Sequence, residues 1–234
     1  MIAERLADVR RRVAQAALDA GRDPADVRLL LATKTQPVHL VREALEADAR
    51  ARADDPALTA VLVGENRVQE LVAKGPSLAG LAPLHLIGPL QSNKVNAALR
   101  WASCIESVES LGLAERLSAR ATGPLDVYVQ VNVSGEDSKH GVAPSEAVAL
   151  AGAVAALPGL RLTGLMTVGA RSDDDAVVRA GYALLRSLRD EIVAAGTPTA
   201  TELSMGMSGD LELAVAEGAT LVRVGSAVFG ARPT

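Results

Sequence analysis

Eight short apolar segments alternate with helical patterns along this chain, and the alternation restricts the possible folds more than any other feature. The apolar segments fall at residues 27–32, 61–63, 84–87, 101–106, 125–133, 160–168, 199–204 and 221–229. The helical patterns fall at 2–20, 37–49, 67–74, 92–99, 109–120, 144–157, 173–195 and 209–217. Short aliphatic runs that are apolar on both faces are typical of parallel strands. The pattern predicts a single (β/α)₈ barrel of the TIM type, with an extra N-terminal helix and one domain over residues 1–234.

Composition narrows the classes of ligand and partner. The net charge is −4 and aromatic residues make up 2% of the chain, which gives no electrostatic reason to expect nucleic acid or an anionic membrane and few rings for base stacking. The one cysteine, Cys104, excludes an internal disulfide, and the three histidines lack the spacing of metal ligands. From this cysteine and these histidines we expect no metal site. Charges interrupt the N-terminal segment, so we expect no signal peptide and a cytoplasmic location.

A lysine directly follows the first apolar segment, in the sequence VRLLLATKTQP. An ammonium group at the end of a buried strand is costly unless something compensates it. One compensation is a lowered pKa, which would make Lys34 a nucleophilic amine able to form an imine. The alternative is a lysine whose charged end reaches solvent where the strand ends.

Small and hydroxyl-bearing residues follow the seventh and eighth segments, where barrels commonly bind a phosphate. Ser204 and Ser226 can offer hydroxyls, and Gly206 and Gly225 allow backbone N–H groups to approach a ligand. The helix start after Ser208 adds partial positive charge. In isolation SMGMSGD is equally well a helix cap and RVGSAVFG a packing point, but together they favour an anion site.

An imine-forming lysine and a phosphate site suggest pyridoxal 5′-phosphate, although a sugar-phosphate aldolase would use the same two features. Arg223 lies two residues before Gly225 and could reach a pyridine nitrogen. A guanidinium only donates hydrogen bonds, so it would keep that nitrogen unprotonated and the ring a poor electron sink. The alternative for Arg223 is an ordinary ion pair inside the barrel.

Six motifs in order resemble the YggS/PROSC family of pyridoxal-phosphate homeostasis proteins, from about Val27 to Arg232. They are LLATKTQP, VGENRVQE, LHLIGPLQSNKV, VQVNVSGEDSKHGV, LTGLMTV and ELSMGMSGDLELAVAEGATLVRVGSAVFGAR. The resemblance implies a barrel similar to the N-terminal domain of alanine racemase, without the C-terminal β-domain. It also implies pyridoxal 5′-phosphate as the cofactor, carried by Lys34 as an internal aldimine.

The resemblance assigns further cofactor-binding residues. It implies that Ser204, Gly225 and Ser226 hold the phosphate with Met207 nearby, and that Arg223 faces the pyridine nitrogen. Two further residues are implied beside the ring: Asn66 of the GEN motif, and His85 of the LHLIG segment, which as a lone histidine at a strand end could equally be structural.

The resemblance implies a carrier or regulator of the cofactor without established catalysis. Its implied partners are the cofactor itself and, transiently, apo-enzymes that use it; we expect a monomer. The alternative is an amino-acid racemase of the same fold, but Tyr128 lies in the fifth strand and Tyr182 in a helix, so neither is an obvious opposing base.

Three features concern the rim of the predicted site. Residues 48–60 look like an insertion relative to the family, and Arg67 stands where a tyrosine is common. Lys139 matches a family lysine; it is either a solvated loop charge or a transient docking point for the cofactor.

Overall fold

The protein is a closed barrel of eight parallel strands that pair in sequence order, with β8 completing the ring against β1. The strands are β1 Arg28–Ala32, β2 Leu62–Glu65, β3 Leu84–Leu86, β4 Cys104–Val108, β5 Leu125–Gln130, β6 Leu160–Met166, β7 Glu202–Ser204 and β8 Leu221–Val224. This computed structural model describes residues 1–136 and 138–230. Asp137 of the GEDSKHG segment and Arg232, where the family resemblance ends, lie outside the described residues. The predicted (β/α)₈ barrel is confirmed.

Helices lie between the strands and before the first one. They are α1 Ile2–Asp19, α2 Val38–Asp54, α3 Val68–Leu78, α4 Val95–Ala98, α5 Leu111–Ser118, α6 Pro144–Ala155, α7 Asp175–Ala194, α8 Leu211–Ala216 and α9 Ser226–Phe229, with 3₁₀ turns at Pro24–Asp26 and Ser92–Lys94. The extra N-terminal helix α1 buries one face, including Leu6, Val9 and Val13, against α2, α8 and α9. Across the described part of the chain, no helix is long and apolar enough to cross a membrane.

Side-chain alternation along the strands divides the core into two layers. Leu29 and Leu31 belong to the large cluster between the strands and the helices, whereas Leu30 packs in a separate small cluster with Leu62 and Leu221. Because successive side chains of a strand point to opposite faces, the second cluster lies inside the barrel.

The eighth strand is shorter than predicted. It ends at Val224, because Gly225 leaves the extended conformation (φ −127°, ψ −74°) and residues 226–229 form α9. The fifth strand likewise ends at Gln130 rather than at residue 133. The fourth strand begins later than predicted, at Cys104.

The second helix continues to Asp54, so it takes in the first part of the segment 48–60 that looks like an insertion, and the rest of that segment forms a loop. The buried carboxylate of Asp48 pairs with Arg10 of α1 and with Arg52 one turn further along α2, which ties this end of the helix to α1. The predicted helix at 92–99 is instead a 3₁₀ turn followed by the short α4.

Candidate functional site

A cavity of about 430 Å³ opens at the carboxyl end of the barrel, within the size range of small-molecule sites. Residues after β1, β2, β3, β6, β7 and β8 contribute to its wall, where barrel enzymes and binding proteins carry their ligands. The lining residues are Ala32, Lys34, Gln36, Asn66, Ile87, Val168, Met207, Ser208, Gly209, Arg223, Gly225, Ser226 and Gly230.

The charges of this cavity are of one sign. Lys34 and Arg223 line it, and no carboxylate among the described residues does so. A cleft with walls of one charge raises the local concentration of ligands of the opposite charge. The cavity is therefore suited to an anion.

Lys34 stands where β1 passes into a loop, and its side chain is half-buried. Just before it, the N–H of Thr33 donates to the carbonyl of Gly64 over 3.0 Å, which extends the pairing of β1 with β2 by one residue. The hydroxyl of Thr33 donates to Glu65 Oε1 over 2.5 Å. The backbone that carries the lysine is thus fixed by the neighbouring strand.

The ends of β7 and β8 form the opposite wall. At Gly225 the backbone passes so close to β1 that a Cβ atom would lie 3.0 Å from the carbonyl oxygen of Ala32. Ser226 opens α9, in which the N–H groups of Val228 and Phe229 donate back to the carbonyl of Gly225, whereas the first N–H groups of a helix have no such partner. The N–H of Ala227 donates to Ser208 Oγ over 3.4 Å, which joins the two loops. This wall can present backbone donors to an anion.

Arg223 lies at the base of the cavity and is held from below. Its Nη1 donates to Ser204 Oγ over 2.8 Å, and its Nη2 donates to the carbonyl of Thr167 over 2.6 Å. Ser204 in turn donates its hydroxyl proton to Glu106 Oε2 over 2.6 Å. The other oxygen of Glu106 lies 2.6 Å from His85 Nδ1. A chain of four polar side chains therefore runs into the barrel beneath the cavity.

The side-chain carboxyl group of Glu106, in the middle of these four residues, is charged although it is fully buried. Burial raises the pKa of Glu106, but the hydrogen bonds from His85 and Ser204 and the positive charge of Arg223 outweigh burial, so the pKa lies below its usual value. Burial also lowers the pKa of Arg223, which stays protonated at neutral pH because a guanidinium titrates so far above it. Glu106 and Arg223 thus form a buried ion pair in which Ser204 bridges the two charged groups.

Asn66 supplies an acceptor that needs a donor. Its Oδ1 is buried without a hydrogen-bond partner among the described residues. Gly88 packs against its backbone so closely that a Cβ atom there would lie 2.2 Å from the carbonyl oxygen of Asn66. An orphaned buried acceptor is costly, and a ligand with a hydroxyl or N–H donor would satisfy it.

The structure brings together six of the residues that the sequence suggested: Lys34, Asn66, Met207, Arg223, Gly225 and Ser226 line the cavity. Ser204 and His85 do not line it, because both lie below Arg223 and are bonded to Glu106. Gly206 also lies away from the lining; at φ +89° it turns the chain from β7 towards α8.

Ser208 and Gly209 are among the lining residues that the sequence did not single out as cofactor-binding. Both belong to the SMGMSGD motif, which indicates an anion site, so the sequence carries a signal for them even though the resemblance assigns the phosphate contact to Ser204. Ser204 ends β7, whereas Ser208 lies on the loop that follows it.

Neither tyrosine lines the cavity. Tyr128 donates its hydroxyl proton to Glu202 over 2.6 Å, and Tyr182 donates to Asp210 over 2.8 Å. Burial and the neighbouring negative charges raise the pKa of both phenols. Both therefore remain protonated hydrogen-bond donors.

Lys139 lies beside a neighbouring cavity of about 770 Å³ that shares Met207 with the first. Its ammonium donates to Glu136 Oε1 over 2.6 Å and to the carbonyl of Gly169 over 2.8 Å. The side chain is only 16% exposed, and its bonds join its own loop to the loop after β6.

Comparison with known proteins identifies the class to which this barrel belongs. The family model described as alanine racemase, N-terminal domain, matches residues 8–233. This parallel barrel, with Lys34 after β1 and Arg223 in β8, therefore belongs to the family of the alanine racemase N-terminal domain.

Individual relatives narrow that class. A pyridoxal phosphate homeostasis protein of Pseudomonas aeruginosa is 48% identical over 236 residues, which cover 99% of this chain and 96% of the relative. The chain belongs to the pyridoxal phosphate homeostasis protein family. Such relatives are named for homeostasis rather than for a reaction.

Two solved structures are similar along nearly their whole length. A protein of unknown function from Bifidobacterium adolescentis is 42% identical with a TM-score of 0.89, over 97% of this chain and 94% of that one. The protein PipY of Synechococcus elongatus, solved with pyridoxal phosphate bound, is 34% identical with a TM-score of 0.80, over 98% of this chain and 100% of that one.

Proposed function

We propose that this protein binds pyridoxal 5′-phosphate through Lys34 and serves in cofactor homeostasis in the cytoplasm. The observation that carries the proposal is the juxtaposition, in one cavity, of Lys34 with the backbone donors at Gly225 and Ser226. An amine opposite an anion cradle suits a ligand that has both an aldehyde and a phosphate. The names of the relatives and the ligand of PipY support the same ligand.

Each group of the ligand has a counterpart among these residues. Pyridoxal 5′-phosphate would supply an aldehyde, which Lys34 would hold through its amine. The N–H groups at Gly225 and Ser226 would hold the phosphate, and Ser208 and Gly209 would add to that wall. Arg223, which only donates hydrogen bonds, would face the pyridine nitrogen and keep it unprotonated.

The other four predicted residues act around or below this arrangement. The orphaned Oδ1 of Asn66 accepts a hydrogen bond from the ring substituents, and Met207 closes the mouth of the cavity. Ser204 and His85 act through Arg223 and Glu106 rather than by touching the ligand, because their polar atoms are bonded within the chain below the cavity.

We further propose that the protein stores and delivers the cofactor as a monomeric, single-domain barrel over residues 1–234, with apo-enzymes as transient recipients.

The competing function is amino-acid racemisation, since the family model is that of alanine racemase. Racemisation needs a proton donor and acceptor on the far side of the ring. Tyr128 and Tyr182 are bonded elsewhere and remain protonated, which supports a carrier. Incorporation of solvent deuterium at the Cα of a free amino acid at an enzymatic rate would favour the racemase instead.

The phosphate should dominate the affinity for the ligand. Removing it deletes at least two hydrogen bonds to a charged group, so pyridoxal should bind about a hundredfold more weakly than pyridoxal 5′-phosphate. Titration of the ligand-free protein, followed by absorbance, measures both dissociation constants. Equal affinities would contradict the anion cradle, and no binding of either aldehyde would overturn the proposed function.

A further inference from the structure

A partly buried polar cluster lies behind Lys34 and outside the cavity. It consists of Thr33, Thr35, Glu65, Glu70 and Lys74, and we call it the Lys74 cluster. None of the five lines the 430 Å³ cavity. The cluster joins the loop after β1 to the end of β2 and to α3.

Lys74 is the centre of the cluster. Its ammonium donates to the carbonyl of Thr33 over 2.7 Å, to Glu65 Oε1 over 2.7 Å and to Glu70 Oε2 over 3.1 Å. An ammonium has three protons to donate, so these three acceptors use all of them. The side chain is 11% exposed, and removal of its charge would leave the buried carboxyl of Glu65 without a cation.

Thr35, on the other side of Lys34, has an unfavourable backbone conformation. Its φ is +63°, and it is the one non-glycine residue with positive φ among residues 1–136 and 138–230. A β-branched residue rarely adopts this conformation unless its surroundings impose it. Here the N–H of Thr35 donates to Glu70 Oε2 over 2.7 Å, the same oxygen that binds Lys74.

The carboxylate of Glu70 is charged as this arrangement requires. Burial raises its pKa, but the hydrogen bonds from the backbone of Thr35 and from Lys74 and the positive charge of Lys74 outweigh burial and lower the pKa below its usual value. By contrast, burial raises the pKa of Glu65 despite the bonds from Lys74 and Thr33.

The residues on both sides of Lys34 are thus held by one cluster. We propose that Lys74 and Glu70 are positioning residues, which keep the loop after β1 in the strained conformation that directs Lys34 into the cavity. The inference rests on the proposed function, because it concerns the amine that captures the aldehyde. An ion pair that only stabilises the fold would not need to bond the backbone on both sides of the lysine.

Two variants test the role of the cluster, Lys74→Met and Glu70→Ala. Both should slow capture of pyridoxal 5′-phosphate, measured as the initial rate of formation of the borohydride-stable adduct, by about tenfold or more, because small misplacements of a reacting group have large effects on rate. In the ligand-free variants the amides of residues 33–36 should exchange with deuterium faster than in the unmodified protein. Glu70 is 22% exposed, so Glu70→Ala is the variant to use if Lys74→Met fails to fold.

Arg10→Met is the matched control. Arg10 is 13% exposed and pairs with the buried Asp48, and it also donates to the carbonyl of Thr59, before β2. Arg10→Met should lower stability while capture and the exchange of residues 33–36 stay as in the unmodified protein.

A rescue separates positioning from general stabilisation. Glycine adopts a φ of +63° without steric cost, so Thr35→Gly should restore part of the capture rate lost in Glu70→Ala. Unchanged capture and unchanged amide exchange in both Lys74→Met and Glu70→Ala would overturn the inference alone. Absence of capture by the unmodified protein would overturn the proposed function together with it.

Discussion

Replacing Lys34 with alanine should abolish covalent capture of pyridoxal 5′-phosphate. Among the described residues Lys34 is the one lysine that lines the cavity, and alanine has no amine to bond the aldehyde carbon. Borohydride treatment of the loaded variant, followed by mass measurement of the intact chain, should show no stable adduct. Binding without a covalent bond should persist at reduced affinity, because the donors at Gly225 and Ser226 remain.

Lys94→Ala provides the comparison. Lys94 ends the 3₁₀ turn before α4 and does not line the cavity. This variant should take up the cofactor as the unmodified protein does. An adduct of normal yield in Lys34→Ala would mean that another amine captures the aldehyde.

The largest expected effect on stability follows from Arg223→Leu. This change leaves the fully buried carboxylate of Glu106 without its cation, which should lower the free energy of unfolding by about 3–5 kcal/mol at pH 7. Denaturant unfolding of the ligand-free protein measures the change, since bound ligand would add its own stabilisation. A loss below about 1 kcal/mol, the typical value for an exposed pair, would contradict the buried ion pair.

The pH dependence of the Arg223→Leu defect has a defined sign. In the unmodified protein the lowered pKa of Glu106 contributes stability above the ordinary pKa of a glutamate, and this contribution is lost as the pH falls through the lower folded-state pKa. Arg223 lowers the pKa of Glu106 through its charge, so this pKa should rise when Arg223 is removed. The deficit relative to the unmodified protein should therefore be largest at neutral pH and shrink as the pH falls. The double variant Arg223→Leu, Glu106→Leu should recover most of the lost stability, because a buried pair replaced by apolar side chains is often neutral.

The barrel and the position of Lys34 beside its mouth could be predicted because their signals are local. Lys34 closely follows four consecutive apolar residues, Leu29 to Ala32, and short apolar segments recur along the chain. Arg223 stands out as the one charge between Leu221 and Val224. Alternation along a strand then decides which wall each side chain faces.

The role of Ser204 could not be predicted, because its partners are distant in sequence. The serine bonds Glu106, which is 98 residues away, and Arg223, which is 19 residues away. Only barrel closure brings these strands together, and nothing local distinguishes a serine that faces a ligand from one that bridges an ion pair. The predicted phosphate contact of Ser204 therefore passes, in our proposal, to the loop residues Ser208 and Gly209.

The Lys74 cluster could not be predicted from the sequence either, because its contacts also depend on tertiary packing. Lys74 and Glu70 follow the one-turn spacing of an ordinary surface ion pair on a helix. Their contact with the loop after β1 depends on how α3 packs against the barrel. The positive φ of Thr35 leaves no mark in the sequence either, because threonine is not a residue that usually marks such a conformation.

The most direct test of aldehyde capture by Lys34 is to locate the captured group on the chain. The protein contains four lysines, Lys34, Lys74, Lys94 and Lys139, so borohydride reduction of the loaded protein followed by peptide mapping distinguishes them. We expect one pyridoxyl phosphate group per chain, attached to Lys34. A stable adduct on any of the other three lysines in place of Lys34, or none at all, would contradict it.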